Sequence, residues 1–185
     1  CGYRAYYAQP QQAAAYEPTS VWRVGKRGAE NDTLAFEIAA DGGVDVTDKT
    51  TGQVYRSLGH LSDVDDAGDE YSYCPCPNSE TITTAGLPAE ISVIASGPVQ
   101  ATFRIAWTLH VPAGLTDDRQ RRAAERMPLP IVSEVTLYRD RPGLHIRTEV
   151  ENRARDHMLS VLFPTGLLAT HAAVDEAFAV MERDL

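Results

Sequence analysis

From Val99 to Val111 the chain alternates so strictly that one conformation accounts for it. Val99, Ala101, Phe103, Ile105, Trp107, Leu109 and Val111 fall on one side, and Gln100, Thr102, Arg104, Thr108 and His110 on the other. A period of two places successive side chains on opposite faces, so this segment predicts a long strand with one buried face and one wet face. The rhythm recurs. Leu34, Phe36 and Ile38 alternate with Ala35, Glu37 and Ala39, and Asp41-Gly42-Gly43 then turns the chain into Val44 and Val46, which predicts a hairpin. A second turn, Asp48 to Gly52, leads to Val54 and Tyr55, with Gly52 free to adopt the positive φ of a tight return. After Val132, Val135 and Leu137, the turn Arg139-Asp140-Arg141-Pro142-Gly143 feeds Leu144, Ile146, Thr148 and Val150, set against His145, Arg147, Glu149 and Glu151. Strands joined by Gly and Asp turns, with no βαβ rhythm and no internal repeat, predict an all-β fold, a large antiparallel sandwich.

A chain of 185 residues, 43% of them hydrophobic, can bury one sizeable core, expected to begin near Val21. The stretch Gln9 to Ala15 offers little to bury, so residues 1–20 are expected to form a leader strand and linker, and residues 21–185 the sandwich. The chain opens on Cys1 without an initiator Met or a basic-then-apolar leader, and it reads as an excised segment. Val174, Phe178 and Val180 suggest a sandwich strand whose neighbours lie past Leu185, which would leave an exposed edge. Asp117 to Arg126 is charged and lacks an apolar face, so it is expected to be a mobile, poorly ordered insertion rather than a packed helix.

A formal charge of −9 argues against nucleic acid as a partner. No run of about 18 apolar residues, the length a membrane-spanning helix needs, is present. Cys74 and Cys76 are spaced too tightly for an unstrained disulfide or a two-residue zinc knuckle, and with Cys1 they make an odd count. They are expected to be structural or incidental thiols, and reduced cysteines fit a cytoplasmic protein.

The densest polar signal is Asp63-Val64-Asp65-Asp66-Ala67-Gly68-Asp69-Glu70-Tyr71-Ser72-Tyr73-Cys74-Pro75, with five carboxylates in its first eight positions. A helix-loop-helix calcium loop starting at Asp63 fails, because Ala67 and Cys74 fall where oxygen ligands belong. Three readings stay open. The stretch is a solvated turn whose Asp side chains bond local amides, an irregular cation site, or the rim of an active site. On the rim reading, Asp69, Glu70, Tyr71 and Tyr73 bind sugar hydroxyls while a ring covers an apolar sugar face. Asp156-His157 suggests a dyad or a metal ligand, but neighbours on a strand point to opposite faces. A structural network of Arg153, Arg155, Asp156 and nearby backbone is expected instead. His145 and Glu149 share a face, and that face is the charged, solvent side. Asn31-Asp32-Thr33 matches an N-glycosylation acceptor, which means little without a secretory segment.

Four passages, taken together, carry a resemblance. They are Val46-Thr47-Asp48-Lys49-Thr50-Thr51-Gly52-Gln53-Val54-Tyr55, Asp66 to Pro75, Glu151-Asn152-Arg153-Ala154-Arg155-Asp156-His157, and Leu162-Phe163-Pro164-Thr165-Gly166. With the leading Gly2-Tyr3-Arg4-Ala5-Tyr6, they resemble bacterial-type family 38 α-mannosidases over nearly the whole chain. Cys76 departs from the pattern, since a second Pro is commoner there. The resemblance implies a galactose-mutarotase-like supersandwich following, and lying against, a catalytic α/β barrel of the same polypeptide, which also carries helical domains. It further implies zinc, or another divalent cation, held in that barrel by two His and two Asp, an Asp nucleophile, and a second carboxyl as acid and base. All of these residues lie upstream of Cys1. A retaining mechanism needs two carboxyl groups about 5 Å apart across the scissile bond. No pair here can be assigned to that task, so the chain alone is expected to be inactive toward α-mannosides. A β-domain Tyr of the family reaches the sugar, and the local pattern matches Tyr71 best and Tyr73 second. Two rival readings are an autonomous carbohydrate-binding module and a free-standing mutarotase-like enzyme using His145 and Glu149.

Overall fold

The computed structural model describes residues 21–184, and every regular element in it is a strand. The expected leader at 1–20, Cys1 and Leu185 lie outside the described residues. Strands β1 (Arg23–Val24), β2 (Gly28–Glu30), β3 (Leu34–Ile38), β4 (Val44–Asp48) and β5 (Val54–Leu58) form a five-stranded antiparallel sheet in chain order. The chain then leaves for β6 (His60–Asp65) and β7 (Ile82–Thr83). It next builds a four-stranded antiparallel sheet from β8 (Glu90–Ser96), β9 (Gln100–Pro112), β10 (Arg126–Tyr138) and β11 (Leu144–Val150). β12 (His157–Leu162) returns to pair with β6, and β13 (His171–Glu176) pairs, among the described residues, only with β14 (Ala179–Asp184). The architecture is the expected all-β, antiparallel sandwich.

The alternating segment is β9. It runs beside β10 without a break in register, from Arg126↔Pro112 to Tyr138↔Gln100. Ala101, Phe103, Ile105, Trp107, Leu109 and Val111 are all buried, as are Leu129, Ile131, Val135 and Leu137 on β10. Against them pack Phe36, Ile38, Val44 and Val46 from the first sheet and Leu61 from β6, so the sheets share one core. Phe36 meets Phe103 edge to face, with centroids 5.5 Å apart, the arrangement that aromatic quadrupoles favour. Trp107 Nε1 donates to Asp41 O at 2.7 Å, and a Cβ on Gly42 would sit 2.2 Å from the Trp107 ring. Glycine at that turn therefore serves both its positive φ of 86° and the close approach of the indole. Val99 is 60% exposed, since the strand begins one residue later, and Thr102 on the expected wet face is buried against Thr136.

One expectation is corrected. The charged segment 117–126 is not a helix, but neither is it a loose insertion. It closes the β9–β10 hairpin through Ala113 N→Glu125 O (2.9 Å), Ala123 N→Gly114 O (2.9 Å) and Thr116 N→Arg121 O (2.9 Å). Arg122 finds a buried partner in Asp63, while Arg119 and Arg126 pair with Asp156 and Glu80 nearer the surface, which composition does not reveal. Asn31 is 1% exposed, so the glycosylation match is closed to a glycan. Its Nδ2 donates to Tyr138 O (2.8 Å) and Arg141 O (3.0 Å) while Oδ1 accepts the Leu34 amide (2.8 Å), tying the two large sheets together.

At the other end of the chain, Val174 is half-buried on β13, Val180 is exposed on β14, and Phe178 sits in the turn between them. No helix among the described residues is long and apolar enough to cross a membrane.

Candidate functional site

The carboxylate-rich stretch divides at the end of β6. Asp63 and Asp65 lie within the strand and are fully buried, which overturns the reading of the whole stretch as one solvated turn. Beyond the strand, Asp66 and Asp69 do bond local amides. Asp66 Oδ1 accepts Gly68 N (2.9 Å) and Cys74 N (3.1 Å), and the Ala67 amide donates to Cys74 O (2.7 Å). Asp69 Oδ1 accepts Tyr71 N (2.9 Å) and Ser72 N (2.8 Å), and those amides hold its carboxyl below the usual range. A Cβ at Gly68 would fall 1.7 Å from Ser72 O, so the loop folds on itself too tightly for another residue there. Displayed on this frame, Tyr71 is 91% and Tyr73 49% exposed, with Glu70 also exposed.

Each buried carboxylate has its own partners. Asp63 takes both Arg122, from the β9–β10 hairpin, and His157 Nδ1, from β12. The side chains of Arg122 and His157 are only 7% and 4% exposed. His157 Nε2 lies 3.1 Å from Asn152 Oδ1, which also accepts the Ala154 amide. Asp65 accepts Ser79 Oγ and the Cys76 amide (3.2 Å). Burial pushes the Asp65 carboxyl up, but these hydrogen bonds outweigh it and leave the group lowered. Cys76 is a buried free thiol, pushed up to about 11 by burial and by Asp65, so it stays protonated and inert. Cys74 is free and exposed.

The expected network around Asp156 is replaced by another. Asp156 pairs with Arg119 (3.1 Å), and Arg153 pairs with Glu151. Asp156 and His157 thus serve different partners and form no dyad. His145 is exposed and packs edge-on against Tyr138 (centroids 5.1 Å apart), while Glu149 pairs with Arg147, both on the solvent side of β11. A polar cleft of about 550 Å³ opens beside the loop, lined by Asp69, Glu70, Arg119 and Asp156 among others. Among the described residues no group of three or more His, Cys, Asp or Glu could hold a metal ion. Asp63, Asp65, Asp66 and Asp69 each turn to protein donors, so the described residues of the stretch fit neither the irregular cation site nor zinc.

Sequence comparison places residues 29–185 on the model of the glycosyl hydrolases family 38 C-terminal domain. A Halalkalibacterium halodurans protein bearing the name mannosylglycerate hydrolase is 31% identical over 168 residues, 83% of this chain and 19% of that protein. An α-mannosidase from Enterococcus faecalis V583 superposes with a TM-score of 0.82 at 27% identity, covering 92% of this chain and 21% of the enzyme. A family 38 glycosyl hydrolase structure from Enterococcus faecalis superposes with a TM-score of 0.84 at 26% identity, covering 94% and 23%. The chain therefore spans about one fifth of the length of the relatives it matches.

Proposed function

Since the chain belongs to glycosyl hydrolase family 38, as its C-terminal domain, we propose that it is the noncatalytic β-sandwich of a retaining, zinc-dependent α-mannosidase. On this reading it packs against the catalytic domain of the same polypeptide and lends the loop Asp69 to Tyr73 to the sugar pocket. The observation that carries the reading is Tyr71. Its side chain is 91% exposed on a loop whose amides at Gly68, Tyr71, Ser72 and Cys74 are all held by two Asp carboxylates. A ring presented on a fixed backbone loses little further freedom when a ligand meets it. Its hydroxyl suits a sugar hydroxyl and its face an apolar sugar face, with Tyr73, Asp69 and Glu70 alongside. The nucleophile and the acid/base carboxyl come from the catalytic domain. The buried carboxylates of this chain are bound to Arg, His, Ser and amide donors and are not free to attack or protonate. Zinc also belongs to that domain, where it supplies a Lewis acid for sugar hydroxyls. The free thiols of Cys74 and Cys76 suit a cytoplasmic location. The substrate is an α-mannoside, and mannosylglycerate, after the H. halodurans relative's name, is one to offer beside an aryl α-mannoside.

The test is hydrolysis of both compounds by the full-length polypeptide, by its Tyr71→Phe variant and by the 185-residue chain. The full-length enzyme should turn over. The variant should lose roughly tenfold in kcat/KM, the worth of one hydrogen bond of about 1.4 kcal/mol. The short chain should be silent. A variant equal to the wild type makes the loop structural, and turnover by the short chain places the catalytic groups within it. Saturable binding of mannosides by the short chain alone would favour an autonomous binding module.

A further inference from the structure

The loop that displays Tyr71 is fastened at both ends to one pair of residues that lie outside it, through their main-chain carbonyls and the Arg119 guanidinium. Where the chain leaves β6, the Asp66 amide donates to Asp156 O at 3.0 Å. Arg119, in the turn between β9 and β10, sends Nη1 to Asp156 Oδ1 (3.1 Å) and Nη2 to Gly68 O (3.4 Å). At the trailing end, the Cys76 thiol points at Arg119 O (3.7 Å). The pair thus touches the loop at residues 66, 68 and 76.

Arg119 does not sit there at ease. Both residues hold φ at +52°, the left-handed region, which an Asp tolerates and an Arg seldom occupies. Their ion pair is 48% and 32% exposed, and a pair so wetted adds little to stability. Stability is therefore a poor reason for the strained Arg119 to meet Asp156 here. Beneath them, Arg122 buries its guanidinium on Asp63, which His157 also holds. Because that buried contact fixes the hairpin, Arg119 is presented to the loop from a rigid base, and its reach to Gly68 sets where the loop stands.

We infer that Arg119 and Asp156 are positioning residues for Tyr71, a clasp that holds the 66–76 loop at the angle from which the tyrosine meets the sugar. The inference rests on the proposed role of Tyr71. Neither clasp residue needs to touch substrate.

The experiment is a double-mutant cycle in the full-length polypeptide, with an aryl α-mannoside as substrate. The variants are Tyr71→Phe, Arg119→Asn, Asp156→Asn, and each Asn variant combined with Tyr71→Phe. Asparagine is chosen because it tolerates the left-handed φ, so the turn keeps its backbone. Arg119→Asn and Asp156→Asn should each lower kcat/KM roughly fivefold, within the range of coupled neighbours, without lowering the unfolding midpoint. In the Tyr71→Phe background they should add nothing, because the group being positioned is already disabled. Arg119→Lys should restore part of the loss by keeping the charge opposite Asp156 without the fork that reaches Gly68. Losses that multiply with that of Tyr71→Phe, or Asn variants equal to the wild type while Tyr71→Phe is impaired, overturn the clasp and leave the Tyr71 reading intact. A Tyr71→Phe enzyme equal to the wild type overturns both.

Discussion

Phe103 and Asp63 are both 0% exposed, and what surrounds them differs in kind. Phe103 stands on β9 among Ile105, Val135 and Phe36, where burial is non-directional and each neighbour contributes by removing apolar area from water. Asp63 stands on β6 between a guanidinium and an imidazole, where desolvation offsets most of the attraction. The first region holds the sandwich together. The second does little for stability but fixes one arrangement of three elements, β6, β12 and the β9–β10 hairpin, directly under the loop that carries Tyr71. In this domain an apolar core secures the fold and buried charges secure the register of the candidate site.

The comparison breaks first at Phe103. Phe103→Ala should cost about 3–5 kcal/mol through lost burial and the cavity left behind, read by chemical denaturation of the chain. A cost below about 1 kcal/mol would mean that the two sheets do not share the core. Arg122→Met should cost about 3 kcal/mol, because it strands a buried carboxylate rather than because the ion pair was strong. The sharper version replaces the whole triad at once. Asp63→Leu with Arg122→Met and His157→Leu should return stability to near the wild-type value in the same denaturation series. The full-length enzyme should nonetheless stay impaired, since the hairpin has lost its fixed contact. Full activity in that triple variant would separate the buried charges from the site.

A third, smaller effect lies at the trailing end of the loop. The Cys76 thiol is raised from 9.0 to about 11, so the folded state holds its proton longer than the unfolded chain does. Its contribution is intact below pH 9 and is lost progressively as pH rises toward 11. The unfolding midpoint of the wild type should therefore fall faster across that window than the midpoint of Cys76→Ala. Curves that stay a constant distance apart would show that Cys76 is not held protonated.

What the sequence disclosed follows the same division. β3, β4, β9, β10 and β11 were legible because a period of two on a half-buried sheet is written in consecutive residues, and Gly42 and Gly52 mark their turns. The local Asp–amide bonds at Asp66 and Asp69 were legible for the same reason, since donor and acceptor lie within a few positions. The buried triad was not. Arg122 reaches Asp63 across 59 residues and His157 across 94, and no local pattern encodes a partner so distant. Arg119 meets Asp156 across 37 residues, inside a segment whose composition predicted a mobile insertion. A run of charges without an apolar face shows that no helix packs there, and gives no sign of where the arginines go. Asn31 shows the converse, where a short motif for a surface modification meant little in the sequence and the side chain is needed inside.

The smallest expected effect tests strain where no partner among the described residues explains it. Phe178 holds φ at +102° in the β13–β14 turn with its ring wholly exposed, whereas the strained Arg119 meets Asp156. A bulky side chain at that φ costs more than it returns unless the ring rests on something. Phe178→Gly should therefore stabilise the chain by about 0.5–1 kcal/mol, the relief of strain outweighing the freedom that glycine gains when unfolded. The reading is the shift in thermal midpoint against the wild type. If the midpoint falls instead, the ring is holding the hairpin. Phe178 would then belong with Arg119, as a side chain whose strained backbone is offset by a contact.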